Sequence, residues 1–190
     1  ASLGFASVIK YLGSKRRLVP RIVSLVRAIP GARTALDLFT GTTRVAQGLK
    51  AAGLTVTAND LAAYGGVLAR AYIEVDATRI DEVRLRALLV ELDALPGTPG
   101  YFTRTFCEEA RYFQPANGAR IEAIRAAIER VAADAQERAI LLTALLEAAD
   151  RVDSTTGLQM AYLKKWAPRS HRPLSLRLPA LDHLGGSPTG

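Results

Sequence analysis

Residues 37–43 read Asp-Leu-Phe-Thr-Gly-Thr-Thr, a short apolar run closed by a turn of small residues. At the end of a strand, such a turn brings backbone N–H groups close to a ligand. Gly41 is the residue whose missing side chain permits the approach. In an open α/β sheet, ligands bind beyond the carboxyl ends of the strands. The next β-branched run, residues 54–58, leads into Asn59-Asp60. An acid at that position can accept hydrogen bonds from ribose hydroxyls. Together the two strand ends make the pattern of a nucleoside-cofactor site, centred on Asp37, Gly41 and Asp60. They do not make a dinucleotide fingerprint, because Arg44 holds the third position after Gly41 and no second glycine follows in the turn. Without a ligand, the same residues would form an ordinary strand-to-helix turn and a surface Asp. Upstream lie Tyr11, Gly13 and Lys15. Tyr11 can cover a cofactor or base ring and Lys15 can bind a carboxylate or phosphate; the bland alternative is a helix entry.

The elements that must position these residues alternate. Leu18, Ile22, Leu25 and Ile29 recur at helical spacing, with Ser14 as the expected N-cap and Pro30-Gly31 as the stop. Residues 34–39 read as a buried strand, 43–52 as a helix with Gly53 at its C-cap, and 54–58 as a second strand. Strand, helix and strand in so short a span form a βαβ unit, which builds parallel sheets. From residue 61 the pattern turns helical, with helices expected over 61–73, 78–95, 120–133 and 136–152. Residues 96–100, Pro-Gly-Thr-Pro-Gly, are the expected domain boundary. Asn117-Gly118 reads as a turn and cap ahead of the third of these helices. Residues 168–190 hold four prolines and three glycines and read mostly as loop.

Charge is unevenly placed. The 190 residues carry 25 Lys and Arg against 18 Asp and Glu, a net charge of +7. Seven cations, Lys10 to Arg33, precede the first acid, Asp37. A second acid-free stretch, residues 154–181, carries Lys164, Lys165, Arg169, Arg172 and Arg177. Clustered cations suit a polyanion, since each neutralised phosphate releases condensed counterions; solvated faces are the alternative. The longest uncharged stretches are 10 residues, against roughly 20 for a membrane span. With a single cysteine, Cys107, no internal disulfide and no multi-cysteine metal site can form. Cys107 reads as a small buried residue, and His171 and His183 are too few to propose a metal. A soluble, cytoplasmic protein is expected.

Taken in order, several short motifs resemble one family. They are Tyr11-x-Gly13-x-Lys15, Asp37-x-Phe39-x-Gly41, Asn59-Asp60, Tyr112-Phe113, Asn117-Gly118-x-Arg120-Ile121, Leu146-x-x-Ala149-Asp150, Gly157 and Tyr162-Leu163-Lys164. The series resembles the Dam-like (D12) class of DNA adenine-N6 methyltransferases. The resemblance implies an α/β fold, a Rossmann-like core that binds S-adenosylmethionine (AdoMet), with an added, mainly helical recognition region. It implies that Tyr11, Lys15, Asp37, Phe39, Gly41 and Asp60 line the AdoMet site. Residues 1–95 would be the cofactor-binding part, 101–178 the target-recognition region for double-stranded DNA, and 179–190 a loop leading onward. In that region Lys164, Lys165, Trp166, Arg169 and Arg172 would meet nucleic acid, through backbone contacts and stacking; Trp166 as a core anchor is the competing reading. The family's Phe-x-Gly-x-Gly turn ends here in Thr43 instead of glycine.

The resemblance also implies a (D/N/S)-P-P-(Y/W/F) motif whose acceptors hold the adenine amino group while the aromatic stacks on the flipped base. No Pro-Pro pair occurs in the 190 residues, and Ser187-Pro188-Thr189-Gly190 does not match it. No catalytic residue is therefore assigned. The expectation is the front half of an adenine-N6 DNA methyltransferase, inactive alone, with a continuation or a second chain supplying the motif. A non-catalytic AdoMet- or nucleic-acid-binding module is the alternative, and a methyltransferase acting on RNA or a small molecule is a third reading.

Overall fold

The computed structural model describes residue 9, residues 15–156 and residues 161–181. Tyr11, Gly13, Ser14, Gly157 and His183 lie outside the described residues. The chain divides into two compact units between Asp81 and Glu82. One holds residues 15–81 with 180–181, the other residues 82–156 and 161–179 with residue 9.

The first unit opens with a 3₁₀ turn, Lys15–Arg17, and helix α1, Val19–Arg27. Leu18 holds the N-cap position without a side-chain cap, and Pro20 sits in the first turn, where its missing N–H costs nothing. Strand β1, Thr34–Asp37, is followed by helix α2, Arg44–Ala51, and strand β2, Thr55–Ala58. The strands pair in parallel with Thr34 opposite Thr55 and Asp37 opposite Ala58. The chain leaves α2 through Gly53 at φ +89°, a conformation that favours glycine. Helix α1 lies close on α2: a Cβ on Gly48 would come within 2.5 Å of the Val19 side chain. Helix α3, Ala63–Ala69, continues as a π-helical segment, Arg70–Glu74, and buries Leu68, Ala71 and Tyr72.

The Lys50 ammonium ties α2 to the end of that segment. It donates to the carbonyls of Ile73 at 2.8 Å, Val75 at 2.7 Å and Tyr72 at 3.3 Å. These are carbonyls that a helix end leaves without intrahelical partners. Burial lowers the Lys50 pKa, and the nearby charge of Asp76 opposes that fall.

Three expectations need correction. The first strand is not buried. Leu36 is 58% exposed and Phe39 78%, because β2 is the only strand paired with β1 among the described residues. The helix expected from residue 78 starts at Glu82. Asp76 accepts both the N–H and the hydroxyl of Thr78, which draws Ala77–Arg79 into a separate 3₁₀ turn. The expected boundary at residues 96–100 is a loop inside the second unit. It packs on a helix there: Thr98 donates to the Ala119 carbonyl at 3.0 Å, and a Cβ on Gly97 would lie 2.9 Å from that of Ala119.

The second unit is helical. Helix α4, Glu82–Asp93, buries Leu85, Leu88, Leu89 and Leu92 against helices α6, Pro115–Val131, and α7, Ala135–Val152. Between them lies the single turn α5, Tyr101–Thr103, running into a π-helical segment, Arg104–Glu108. Glu122 of α6 caps α5, accepting the N–H groups of Gly100, Phe102 and Thr103 at 2.8, 3.0 and 3.1 Å. Asn117 and Gly118 are not a cap; they lie inside α6, which starts at Pro115. Asn117 instead staples the later segment to the helix. It donates to the carbonyls of Ser170 and Arg172 and accepts the Leu174 N–H. Gly118 admits Cys107, since a Cβ there would collide with the sulfur. No helix among the described residues is long and apolar enough to cross a membrane. The result is a helix-rich mixed architecture with a small parallel sheet.

Candidate functional site

The carboxyl ends of β1 and β2 are laced together. The Asn59 N–H donates to the Asp37 carbonyl and the Thr40 N–H to the Asn59 carbonyl, both at 2.9 Å, so the pairing outlasts the strands. The Asn59 side-chain amide reaches the Leu38 carbonyl at 2.9 Å. The Asp37 carboxylate, buried at the end of β1, accepts the Thr40 hydroxyl at 3.1 Å.

Asp60 closes the knot. One of its oxygens accepts the Gly41 N–H at 2.7 Å and the other the Ala62 N–H at 2.9 Å. The Ala62 and Gly41 N–H groups, helped by that of Leu61 and by the charge of Lys15, hold the Asp60 carboxyl below the usual carboxylate range. A carboxylate offers about four lone-pair sites, so these N–H partners do not exhaust it. Helix α3 presses on Asp60 so closely that a Cβ on Gly65 would come within 2.8 Å of its Cβ. Lys15 reaches the Phe39 carbonyl at 3.5 Å from the same side of the turn.

The structure thus brings Lys15, Asp37, Phe39, Gly41 and Asp60 to one strand-end turn. Leu38, Phe39 and Leu61, all exposed, supply apolar surface around it. Ionised carboxylate, ammonium and apolar rim are the donor set that a charged nucleoside with an amino-acid tail needs, and in that sense the residues fit AdoMet. The chain matches the D12 class N6 adenine-specific DNA methyltransferase family over residues 11–186. It belongs to that family. Among curated relatives, it is 33% identical over 187 residues to the type II methyltransferase M.NlaIII of Neisseria lactamica, covering 92% of this chain and 55% of that protein. It is 32% identical over 183 residues to the modification methylase StsI of Streptococcus sanguinis, covering 88% of this chain and 28% of that one. The chain therefore spans about half the length of the first relative and about a quarter of the second. No solved structure matches it.

For this D12-class chain the departure at Thr43 takes on physical meaning. Thr43 has φ +61°, the one non-glycine positive φ among the described residues. A β-branched residue there is strained, on the order of 1–3 kcal/mol. Glycine takes that conformation freely, so the backbone path itself explains what a glycine does at this turn. Sequence reasoning named Thr43 only as a departure and missed Gln47, whose side-chain amide donates to the Thr43 hydroxyl at 2.7 Å. It also missed Gly65; the Gly65-Gly66 pair shortly after Asp60 was the available signal.

The cations of the second unit differ in their freedom. Lys164, Lys165 and Arg172 are exposed and Trp166 is half-buried. Arg169 is engaged internally, with the Asp153 carboxylate at 2.7 Å and the Thr155 carbonyl at 2.8 Å. Arg111 donates to the Lys164 carbonyl at 2.8 Å and so anchors the strip that carries the two lysines. Alongside, Tyr112 and Tyr162 meet edge to face with ring centroids 5.3 Å apart. Among the described residues, no His, Cys, Asp and Glu cluster could hold a metal ion. Burial pushes the Cys107 thiol up to about 11, with the charges of Glu108 and Glu122 adding to the rise, so it is no nucleophile near neutral pH.

Proposed function

We propose that this chain forms the cofactor-binding and target-recognition parts of an AdoMet-dependent methyltransferase acting on adenine N6 in double-stranded DNA. The observation that carries the reading is the Asp37–Gly41–Asp60 knot at the end of a parallel βαβ unit, in a chain of the D12 family. The unit of residues 15–81 is read as the front of a Rossmann-like core. In it Asp60 faces ribose hydroxyls, Lys15 the methionine carboxylate, Asp37 and Gly41 form the floor of the turn, and Phe39 borders the pocket. Tyr11 is assigned to the same site through the family motif. AdoMet, when bound, would supply an electrophilic methyl group on a sulfonium. The chain's own residues contribute proximity and orientation, a large part of such a barrier.

The helical unit beginning at α4 is read as the recognition region. Lys164, Lys165 and Arg172 contact phosphates, Trp166 stacks or packs beside them, and Arg169 holds their loop through Asp153. The residues that hold the adenine amino group are assigned to polypeptide outside these 190. Two observations support this: no Pro-Pro pair occurs among them, and they span 55% of M.NlaIII.

The test is transfer of labelled methyl from AdoMet to DNA. Residues 1–190 alone are compared with the same residues supplied with the remaining half, as a continuation or as a separate chain. The expected result is no transfer by residues 1–190 alone and transfer to adenine once the other half is present. Robust turnover by residues 1–190 alone would refute the division of labour. AdoMet binding that no added half converts to transfer would favour a non-catalytic binding module.

A further inference from the structure

We propose that Gln47 is a positioning residue for the cofactor turn, acting through Thr43: a side-chain hydrogen bond holds the left-handed conformation that a glycine would adopt unaided. The inference rests on the reading that Phe39 and Gly41, in the turn just before Thr43, receive AdoMet.

Thr43 is fully buried, with φ +61° and ψ 12°, at the N-cap of α2. An L-residue with a branched Cβ leaves that region unless its surroundings over-determine it. Here they do. The Thr43 N–H donates to the Thr40 carbonyl at 2.7 Å, and its carbonyl accepts the Gln47 N–H at 2.8 Å. Its hydroxyl donates to the Thr42 carbonyl at 2.8 Å and accepts from the Gln47 side-chain amide at 2.7 Å. Every polar group of Thr43 is thereby engaged, and two of the four bonds go to Gln47. Gln47 has no freedom to swing away, being 1% exposed, with its own oxygen accepting from Arg44 at 3.4 Å.

The direction of these bonds explains why the pair matters for a ligand. With its lone pair occupied by the Gln47 amide, the Thr43 hydroxyl turns its hydrogen on the Thr42 carbonyl, which fixes the Thr42–Thr43 peptide. That peptide lies between Gly41, whose N–H is bound to Asp60, and the first turn of α2. Remove the Gln47 amide and the hydroxyl loses the partner that sets its orientation, while the strain at Thr43 remains. The turn then relaxes toward negative φ and moves the groups that face the ligand.

A double-mutant cycle read by binding tests this, because a positioning effect vanishes when the positioned residue no longer needs it. S-adenosylhomocysteine is titrated calorimetrically into the full chain as wild type, Gln47→Met, Thr43→Gly and the double variant, with thermal melting in parallel. Gln47→Met weakens binding by about tenfold, the scale of one lost hydrogen bond in a buried site. Thr43→Gly binds within about twofold of wild type, since glycine adopts the conformation without help. In the Thr43→Gly background, Gln47→Met changes affinity by less than about twofold. Equal losses in both backgrounds would overturn the proposal, because Gln47 would then act as an ordinary core residue. A large loss in Thr43→Gly alone would overturn it too. Should Gln47→Met alone fail to fold, a double variant that folds and binds like Thr43→Gly supports the proposal, and one that does not overturns it. No binding by wild type would instead bring down the cofactor reading and this inference with it.

Discussion

The Gly41 N–H and the Asp60 carboxylate meet at 2.7 Å across 19 residues of chain, and this bond joins the turn after β1 to the end of β2. It makes Asp60 a structural member of the site as well as a candidate ligand-binding one. Gly41 itself sits at φ +51°, so its N–H reaches Asp60 only from a conformation that side-chain-bearing residues rarely hold.

Asp60→Ala leaves the N–H groups of Gly41 and Ala62 without their acceptor. Folded stability is expected to fall by about 1–3 kcal/mol, the cost of unsatisfied polar groups, and S-adenosylhomocysteine binding to weaken. Thermal melting and calorimetry read both; unchanged affinity would remove Asp60 from the cofactor site. A pH dependence follows from its depressed pKa. The charged carboxylate stabilises the fold fully above its unfolded pKa of about 3.9. That contribution disappears as pH falls through the lower folded value. The melting difference between wild type and Asp60→Asn should therefore be constant above about pH 5 and close on further acidification.

Lys50→Met keeps the length of the side chain and deletes the ammonium that serves Tyr72, Ile73 and Val75. The expected loss is about 1–3 kcal/mol, from buried carbonyls left unsatisfied. Hydrogen exchange should locate the loosening at residues 70–75, the π-helical end. A variant as stable as wild type would mean that water or backbone rearrangement replaces the ammonium.

Gly118→Ala places a methyl group where the Cys107 sulfur already stands. Overpacking of this kind is expected to destabilise by about 1–3 kcal/mol. Cys107 reports on it directly: being buried and with its pKa raised to about 11, it should resist alkylation at pH 8 in the wild type. In Gly118→Ala the alkylation rate should rise. Rapid labelling of the folded wild type would contradict the packing described.

Lys164, Lys165 and Arg172 replaced together by Ala should weaken DNA binding and flatten its salt dependence. The log–log slope should fall by about 1 for each phosphate that is no longer neutralised. Arg169→Ala makes the contrast, because its guanidinium holds Asp153 and Thr155. Its main effect should be on melting temperature. An unchanged slope in the triple variant would place the DNA-binding surface elsewhere.

The order and type of the longer elements were legible in the residues themselves. Helical spacing marked α1, α2, α6 and α7, β-branched residues marked β2, and Gly53 marked the end of α2, because such signals are local. The family was legible too, since its motifs are short and keep their order from Tyr11 to Lys164. Only the tertiary structure decided the rest, and each case is a contact between residues distant in sequence. The exposure of Leu36 depends on which strands flank β1, which no pattern within residues 34–37 reports. Asn117 looked like a cap because Asn-Gly favours turns; its partners, Ser170, Arg172 and Leu174, lie more than 50 residues away. Glu122 accepts the N–H groups of Gly100, Phe102 and Thr103 from 19 to 22 residues away, contacts that no pattern within its own helix reports. Thr43 stood out only by departing from a motif. That it takes a glycine's conformation, held there by Gln47 one helical turn on, follows from burial and hydrogen bonds that exist only once the chain has folded.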